Sequence, residues 1–198
     1  MSPLIETIKV YNNILQDLSY HNNRLNTARW ELYGLDNKIN IKDFVIIPEL
    51  NSQKIYKCRV LYDKEFISFE FHEYIPKIVH NLKLVNCDEL NYQYKFADRH
   101  VLDGIKDLYP EFDSIIFVKQ GLITDCNFAN LVFFDGKKWY TPKSVLLKGT
   151  KRQRYLDEGL IFESEIRVDD IKNFTSVRLI NAMIDLDTSP DIAVQNIY

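Results

Sequence analysis

Three short stretches of this chain place reactive side chains where local structure would give them chemistry. The first is Leu147-Lys148-Gly149-Thr150-Lys151-Arg152. Glycine permits close backbone approach, and a helix starting at Thr150 would present unpaired N–H groups and a hydroxyl, a geometry that binds phosphate. The same residues also read as an ordinary helix start with a solvated basic face. The second is Lys95, between Tyr94 and Phe96 in NYQYKFADR. In an aromatic cleft an ammonium loses solvation, its pKa falls, and the neutral amine can add to a carbonyl; an exposed lysine would do none of this. The third is Asp125 in ITDCNFANLVFFDG, followed by Asn127 and Asn130. A carboxylate at a strand end can face a cationic ring nitrogen or simply cap a turn.

Other chemistries have less to stand on. His21, His72, His80 and His100 include no i, i+4 helical pair, and Cys58, Cys87 and Cys126 are widely spaced, so no metal is expected. There is no G-x-S-x-G, Walker or G-x-G-x-x-G sequence. An amine, a phosphate anchor and an acid for a pyridinium are together the requirements of pyridoxal 5'-phosphate.

The order of motifs resembles the class IV aminotransferase group of pyridoxal-phosphate enzymes, which includes branched-chain and D-amino-acid aminotransferases and aminodeoxychorismate lyases. The resemblance runs through IETIKVYNN, YHNNRLNTA, YKFADR, GLITDCNFANLVFFDG with WYTP, LLKGTKRQ and LINAM. It implies that Lys95 is the Schiff-base lysine and the catalytic residue, and that Arg24, in the H-x-x-R-L pattern from His21, binds phosphate. It implies that Asp125 faces the pyridine nitrogen, and that Gly149, Thr150 and Lys151 form the phosphate loop. Asn181 and Ala182 match a second phosphate-side turn, and Asn127 and Phe128 a loop below the ring. Arg59, Arg99 and Arg178 are candidate carboxylate binders, since planar bidentate donors suit that group; each reads equally as a surface ion pair. Two features depart from the group. Its acid is usually Glu, one methylene longer than Asp125, and members normally carry strands and a Gly-rich turn before the position of Leu4. Ile5 stands where an aromatic residue is common. DCNFANLVF and INAM are similar to the lyases, which implies pyruvate release giving p-aminobenzoate. The alternatives are a class IV aminotransferase and a cofactor-binding protein without turnover.

The elements that must position these residues are legible as a mixed α+β chain. LIETIKVY reads as a strand, with Asn12-Asn13 as a turn and a helix over about Ser19–Tyr33 ending at Gly34. KIYKCRVLY, EFISFEFHEY and HNLKLV follow as strands, Phe66, Ser68, Glu70 and His72 marking one face of the second. A helix is expected from about Phe96 to Leu108. Strands SIIFV, GLIT, ANLVFFD and KKWYT come next, with Asp135-Gly136 as a hairpin turn. A helix over Thr150–Asp157 closes at Gly159, and IFESEIRV and VRLINAMIDL are further strands around a helical turn at Asp169–Asn173. The expected architecture is a two-domain class IV aminotransferase-like fold. It comprises a smaller N-terminal α+β domain over 1–86, a connection over 87–94, and a larger strand-rich cofactor-binding domain over 95–198.

Composition sets the outer limits. With 198 residues, 46% apolar, the chain is long enough for a sizeable core. A net charge of -3 argues against a general nucleic-acid or membrane-surface role. No apolar run approaches the roughly 20 residues a bilayer requires, and MSPLIETIKV does not read as an export signal. With an odd number of cysteines, this predicts a cytoplasmic protein with reduced thiols. The resemblance further implies a homodimer acting on a small amino substrate.

Overall fold

The structure, a computed structural model, describes residues 2–198. It divides into two compact units: the chain up to Pro76 with Tyr94–Asp98, and Lys77–Gln93 with Arg99–Tyr198.

In the first unit β1 (Leu4–Tyr11) turns through Asn12 and Asn13, both at positive φ, into β2 (Ile14–Leu15). Two central residues at positive φ make the tight hairpin turn that asparagine tolerates. Helix α1 (Leu18–Tyr33) follows and stops at Gly34, which takes the left-handed conformation and donates its N–H to the Trp30 carbonyl. Strands β3 (Tyr56–Tyr62) and β4 (Phe66–Glu73) complete an antiparallel sheet in the order β2-β1-β3-β4. Alternation puts Leu4, Ile8 and Val10 of β1 on the inner face with Cys58, Val60 and Tyr62 of β3, against Leu25 and Ala28 of the helix. Each such aliphatic chain contributes roughly 1.5–3 kcal/mol by leaving water. Arg29 is also buried on this helix. Its guanidinium donates to the carbonyls of Lys64 and Asn37, tying the helix to the β3–β4 turn.

The alternation expected of β4 holds only in part. The register passes from Leu61↔Ser68 to Tyr62↔Phe66, so Ile67 is an extra residue in a bulge. The bulge shifts parity by one. Phe66 therefore joins Phe69 and Phe71 on the core while Ile67 is exposed.

The second unit holds two sheets. In one, β5 (Leu82–Asn86) runs parallel to β6 (Ser114–Lys119), and β6 pairs antiparallel with β7 (Leu122–Cys126). Helix α2 (His100–Asp107) lies in the β5–β6 connection. The other sheet takes β8 (Asn130–Phe134), β9 (Trp139–Pro142), β10 (Phe162–Ser164), β11 (Ser176–Ile180) and β12 (Ile192–Ala193), in the order β10-β9-β8-β11-β12. Leu82, Ile116, Val118 and Ile123 of the first sheet share one core with Leu131, Phe133, Val177 and Leu179 of the second. Helix α3 (Thr150–Asp157) sits between β9 and β10 in sequence, closed by Gly159 at positive φ.

Long-range pairing moves several expected boundaries. The division falls at Pro76/Lys77 rather than near Asn86, because β5 is hydrogen-bonded to β6. Tyr94–Asp98 belongs with the first unit and is extended, so α2 begins at His100 and not at Phe96. The strand in VRLINAMIDL stops at Ile180, where Asn181 turns the chain, and IFESEIRV keeps only three strand residues. No helix among the described residues is long and apolar enough to cross a membrane.

Candidate functional site

In the first unit, alternation along β1 places Glu6 between Leu4 and Ile8 on the apolar face. A buried carboxylate there must be paired. The H-x-x-R spacing of α1 supplies the partners. His21 Nδ1 lies 2.5 Å from Glu6 Oε2, and Arg24 donates from Nε to Oε1 at 2.8 Å and from Nη2 to Oε2 at 2.6 Å. Burial alone would raise the Glu6 pKa. The Arg24 charge and the hydrogen bonds from His21 and Arg24 outweigh it and hold the carboxyl at about 2. Burial pushes His21 the other way, below its ordinary value, so the ring is neutral at pH 7 and its Nδ1–H donates to Glu6. The net effect is a guanidinium gripped along one edge by a buried anion.

Lys95 lies half-buried in the Tyr94–Asp98 segment, held by its backbone to β1. Its carbonyl accepts the Ile5 N–H at 2.9 Å, Phe96 bridges to Leu4, and the Ala97 N–H donates to the Pro3 carbonyl. Tyr94 and Phe96 pack edge to face on its two sides in sequence.

In the second unit, Asp125 near the end of β7 is buried. Its Oδ1 accepts from Asn130 Nδ2 at 2.7 Å and its Oδ2 from the Leu147 N–H at 2.8 Å. Burial pushes its pKa up to about 6, against the pull of these bonds and of the Arg152 charge. Asn130 also donates to the Leu147 carbonyl, so a single amide joins β8, Asp125 and the loop before α3. That explains Gly149. Its φ of -67° suits any residue, but a Cβ there would collide with the Asn130 amide oxygen. Gly149→Ala is therefore expected to cost about 1–3 kcal/mol by overpacking. A melting temperature equal to wild type would show that Asn130 gives way freely.

Between β7 and β8 the Asn127–Phe128 loop is bracketed on both sides. Arg99 Nη2 donates to the Asn127 carbonyl at 2.6 Å, and Asn181 Nδ2 to the Phe128 carbonyl at 3.2 Å. The Asn127 amide oxygen accepts from the Ser114 hydroxyl. Asn181 Oδ1 in turn accepts the N–H groups of Met183 and Ile184, which fixes the turn carrying Ala182. Thr150 and Lys151 open α3 and are buried, and Lys151 Nζ lies 2.6 Å from Asp185.

The second unit thus brings together Asp125, the Asn127–Phe128 loop, the Gly149–Thr150 helix start and the Asn181–Ala182 turn. Lys95 and Arg24 belong to the first. The remaining arginines make contacts within the chain. Arg59 pairs with Glu70 on an exposed strand face. Arg178 meets Asp191 through Nε and Nη2 and lies over the Trp139 ring. Arg99 pairs with Asp103 besides its bond to Asn127. Among the described residues no group of three His, Cys, Asp or Glu side chains is placed to hold a metal.

Four residues have organising roles that the sequence reading did not assign: Glu6 and Asp185, which it passed over, and Asn130 and Arg152, which it named only as neighbours of other candidates. Glu6 carried a usable signal, its parity with Leu4, Ile8 and Val10. Arg152 carried none, since TKRQR looks like a solvated face, yet its guanidinium is buried against Thr141, Pro142 and Glu163.

Residues 80–186 match the family model for amino-transferase class IV. An uncharacterized protein of Haemophilus influenzae is 35% identical over 185 residues, 92% of this chain and 98% of its own length. A crystal structure from Haemophilus somnus 129pt, provisionally named a 4-amino-4-deoxychorismate lyase, superimposes with a TM-score of 0.85 at 29% identity. It covers 94% of this chain and 98% of that one. A hypothetical aminotransferase from Mycobacterium tuberculosis, solved in its PLP-bound form, gives a TM-score of 0.72 at 13% identity, with 96% and 80% covered.

Proposed function

The chain belongs to the class IV aminotransferase family, and on that premise we propose that it is a pyridoxal-phosphate enzyme acting on an amino-acid-like substrate, releasing pyruvate from aminodeoxychorismate to leave p-aminobenzoate. The observation that carries the cofactor assignment is the Asp125 carboxylate. It is buried, it accepts from the Asn130 amide and the Leu147 N–H with the Leu146 N–H also turned towards it, and a carboxylate's four lone-pair sites leave capacity for a further donor. The other residues fit the group as well: an arginine held along one edge, a helix start capped by glycine, and a lysine fixed through its backbone. Bound pyridoxal phosphate supplies an aldehyde that captures amines and a protonated ring that stores the electron pair left at the substrate's α-carbon.

In this reading Lys95 would hold the cofactor through its side-chain amine, and the same amine would serve as the proton carrier at the substrate's α-carbon. Asp125, whose pKa of about 6 leaves it mostly ionised at pH 7, would face a cationic ring nitrogen and favour its protonated form. The residues that would offer donors to a phosphate group are Arg24 in the first unit and, in the second, the backbone at Gly149 and Thr150 with the Asn181–Ala182 turn. The lyase assignment is supported by the similarity to the Haemophilus somnus chain and by the INAM segment. The second reading, an aminotransferase, is favoured by the name of the Mycobacterium tuberculosis neighbour.

The deciding experiment is an absorbance spectrum with added pyridoxal phosphate, then borohydride reduction and peptide mapping. A visible band fixed by reduction onto the Lys95 peptide is expected. No band and no modified peptide would overturn the proposal. Pyruvate from aminodeoxychorismate, set against a keto acid from an amino acid with 2-oxoglutarate, separates the two readings. Asp125→Asn is expected to keep the cofactor and lose roughly 100-fold in turnover, as for removal of one electrostatic stabiliser; unchanged turnover would remove Asp125 from the mechanism.

A further inference from the structure

Lys151 is the second residue of α3, and its placement is costly on two counts. A cation in the first turn opposes the helix dipole. Its side chain is also only 2% exposed, and an ammonium withdrawn from water costs several kcal/mol unless paired. Asp185 answers both costs, its Oδ1 lying 2.6 Å from Lys151 Nζ. One helical turn on, Tyr155 lies beneath the same ammonium, with its ring centroid 5.8 Å away. The Tyr155 hydroxyl accepts the Leu186 N–H at 3.0 Å. Two successive points on α3 therefore grip two successive residues, Asp185 and Leu186. Tyr155 and Leu186 also share a buried cluster with Val132, Ile161 and Ile180. The gripped segment continues directly from the turn that Asn181 organises.

We propose that Lys151 and Asp185 form a latch that sets the spacing between the α3 start and the Asn181–Ala182 turn, the two phosphate-binding elements of this unit. Lys151 is then a positioning residue that acts through Asp185, and not a ligand of the phosphate. This rests on the pyridoxal-phosphate reading above. Its chemistry is specific: a latch between two phosphate-binding elements governs affinity for the phosphate group and leaves recognition of the ring alone.

The test compares pyridoxal phosphate with pyridoxal, which lacks the phosphate. Affinities are measured by spectral titration in wild type, Lys151→Met, Asp185→Asn and the double variant. Melting curves confirm that each is folded, and Asp185→Asn is the milder change should Lys151→Met fold poorly. The latch predicts that each single variant weakens pyridoxal phosphate about tenfold, leaves pyridoxal within about twofold, and that the double is no worse than the weaker single, as for two halves of one interaction. If Lys151→Met weakens pyridoxal phosphate while Asp185→Asn leaves it unchanged or tightens it, Lys151 touches the phosphate itself and the latch is wrong. If both ligands weaken in parallel, the pair only stabilises the fold and the latch is again wrong. A wild-type protein that binds neither ligand, or binds both equally, overturns the cofactor reading first and the latch with it. Normal phosphate preference in wild type with additive variants overturns the latch alone.

Discussion

Lys95→Ala is expected to lose all borohydride-fixable cofactor and roughly 10²–10⁴-fold in turnover, the range for removing a positioned proton carrier. The backbone anchoring of this segment is expected to survive the change. The segment carrying Lys95 is anchored by main-chain bonds, Lys95 to Ile5 and Ala97 to Pro3, and by the Phe96 bridge to Leu4. None of these needs the lysine side chain. The informative result is a colourless, reduction-resistant protein that still unfolds in one cooperative transition. A variant that still fixes the cofactor would move the amine to another lysine.

Glu6→Ala should act on stability instead, and strongly. The wild-type carboxylate is buried beneath Arg24 and His21. Removing it strands a guanidinium and a buried ring, and breaking one side of a buried pair costs about 3–5 kcal/mol. For a chain of this length that lowers the melting temperature by roughly 6–20 °C. The pH dependence gives a second signature. The folded Glu6 carboxyl sits at about 2 against 4.5 for the free group. Its contribution is complete above pH 4.5 and is lost as pH falls from there towards 2, about 3 kcal/mol in all. Two other groups act above that window. Asp125, raised to about 6, costs stability when ionised and releases it as pH drops from 6 towards 3.8. His21, depressed, costs stability as pH drops below 6.5. Below pH 4.5 Glu70, Asp113, Asp135 and Asp191, whose carboxyls are also held below their ordinary values by hydrogen bonds, share the loss, but Glu6 is the fully buried member, so the variant should lose a large part of that phase. A variant with the same acid limb as wild type would show that the cluster does not govern acid unfolding.

Elements bounded by local signals were legible from the residues alone. β1 and α3 occupy Leu4–Tyr11 and Thr150–Asp157 as expected, because Asn12-Asn13 ends one and Gly159 closes the other. What depended on a distant partner was not legible. Phe96 and Ala97 look helical in sequence and are extended because β1 offers them hydrogen bonds. The bulge at Ile67 reverses the parity of the residues before it, and no residue type announces it. Lys151 and Arg152 read as a solvated basic face. They are buried because Asp185 and Glu163, far along the chain, pair with them. For the site, the resemblance supplied residues in order, and the structure adds the unassigned groups that hold them: Glu6 behind Arg24, Asn130 behind Asp125 and Gly149, and Asp185 behind Lys151.

The excursion of Tyr94–Asp98 back to the first unit has a consequence for synthesis on the ribosome. β1 is made early, but the residues that bond to Pro3, Leu4 and Ile5 emerge about ninety residues later, several seconds or more at ordinary elongation rates. β5 has by then been made and still waits for β6, which is a further helix away. The growing chain thus carries an incomplete β1 environment and an unpaired β5 edge at once, the two exposures that chaperones recognise and that favour misassociation. Completion of the first unit is timed to the emergence of Lys95 itself, so the nascent chain acquires that side chain only as the structure that holds its backbone closes.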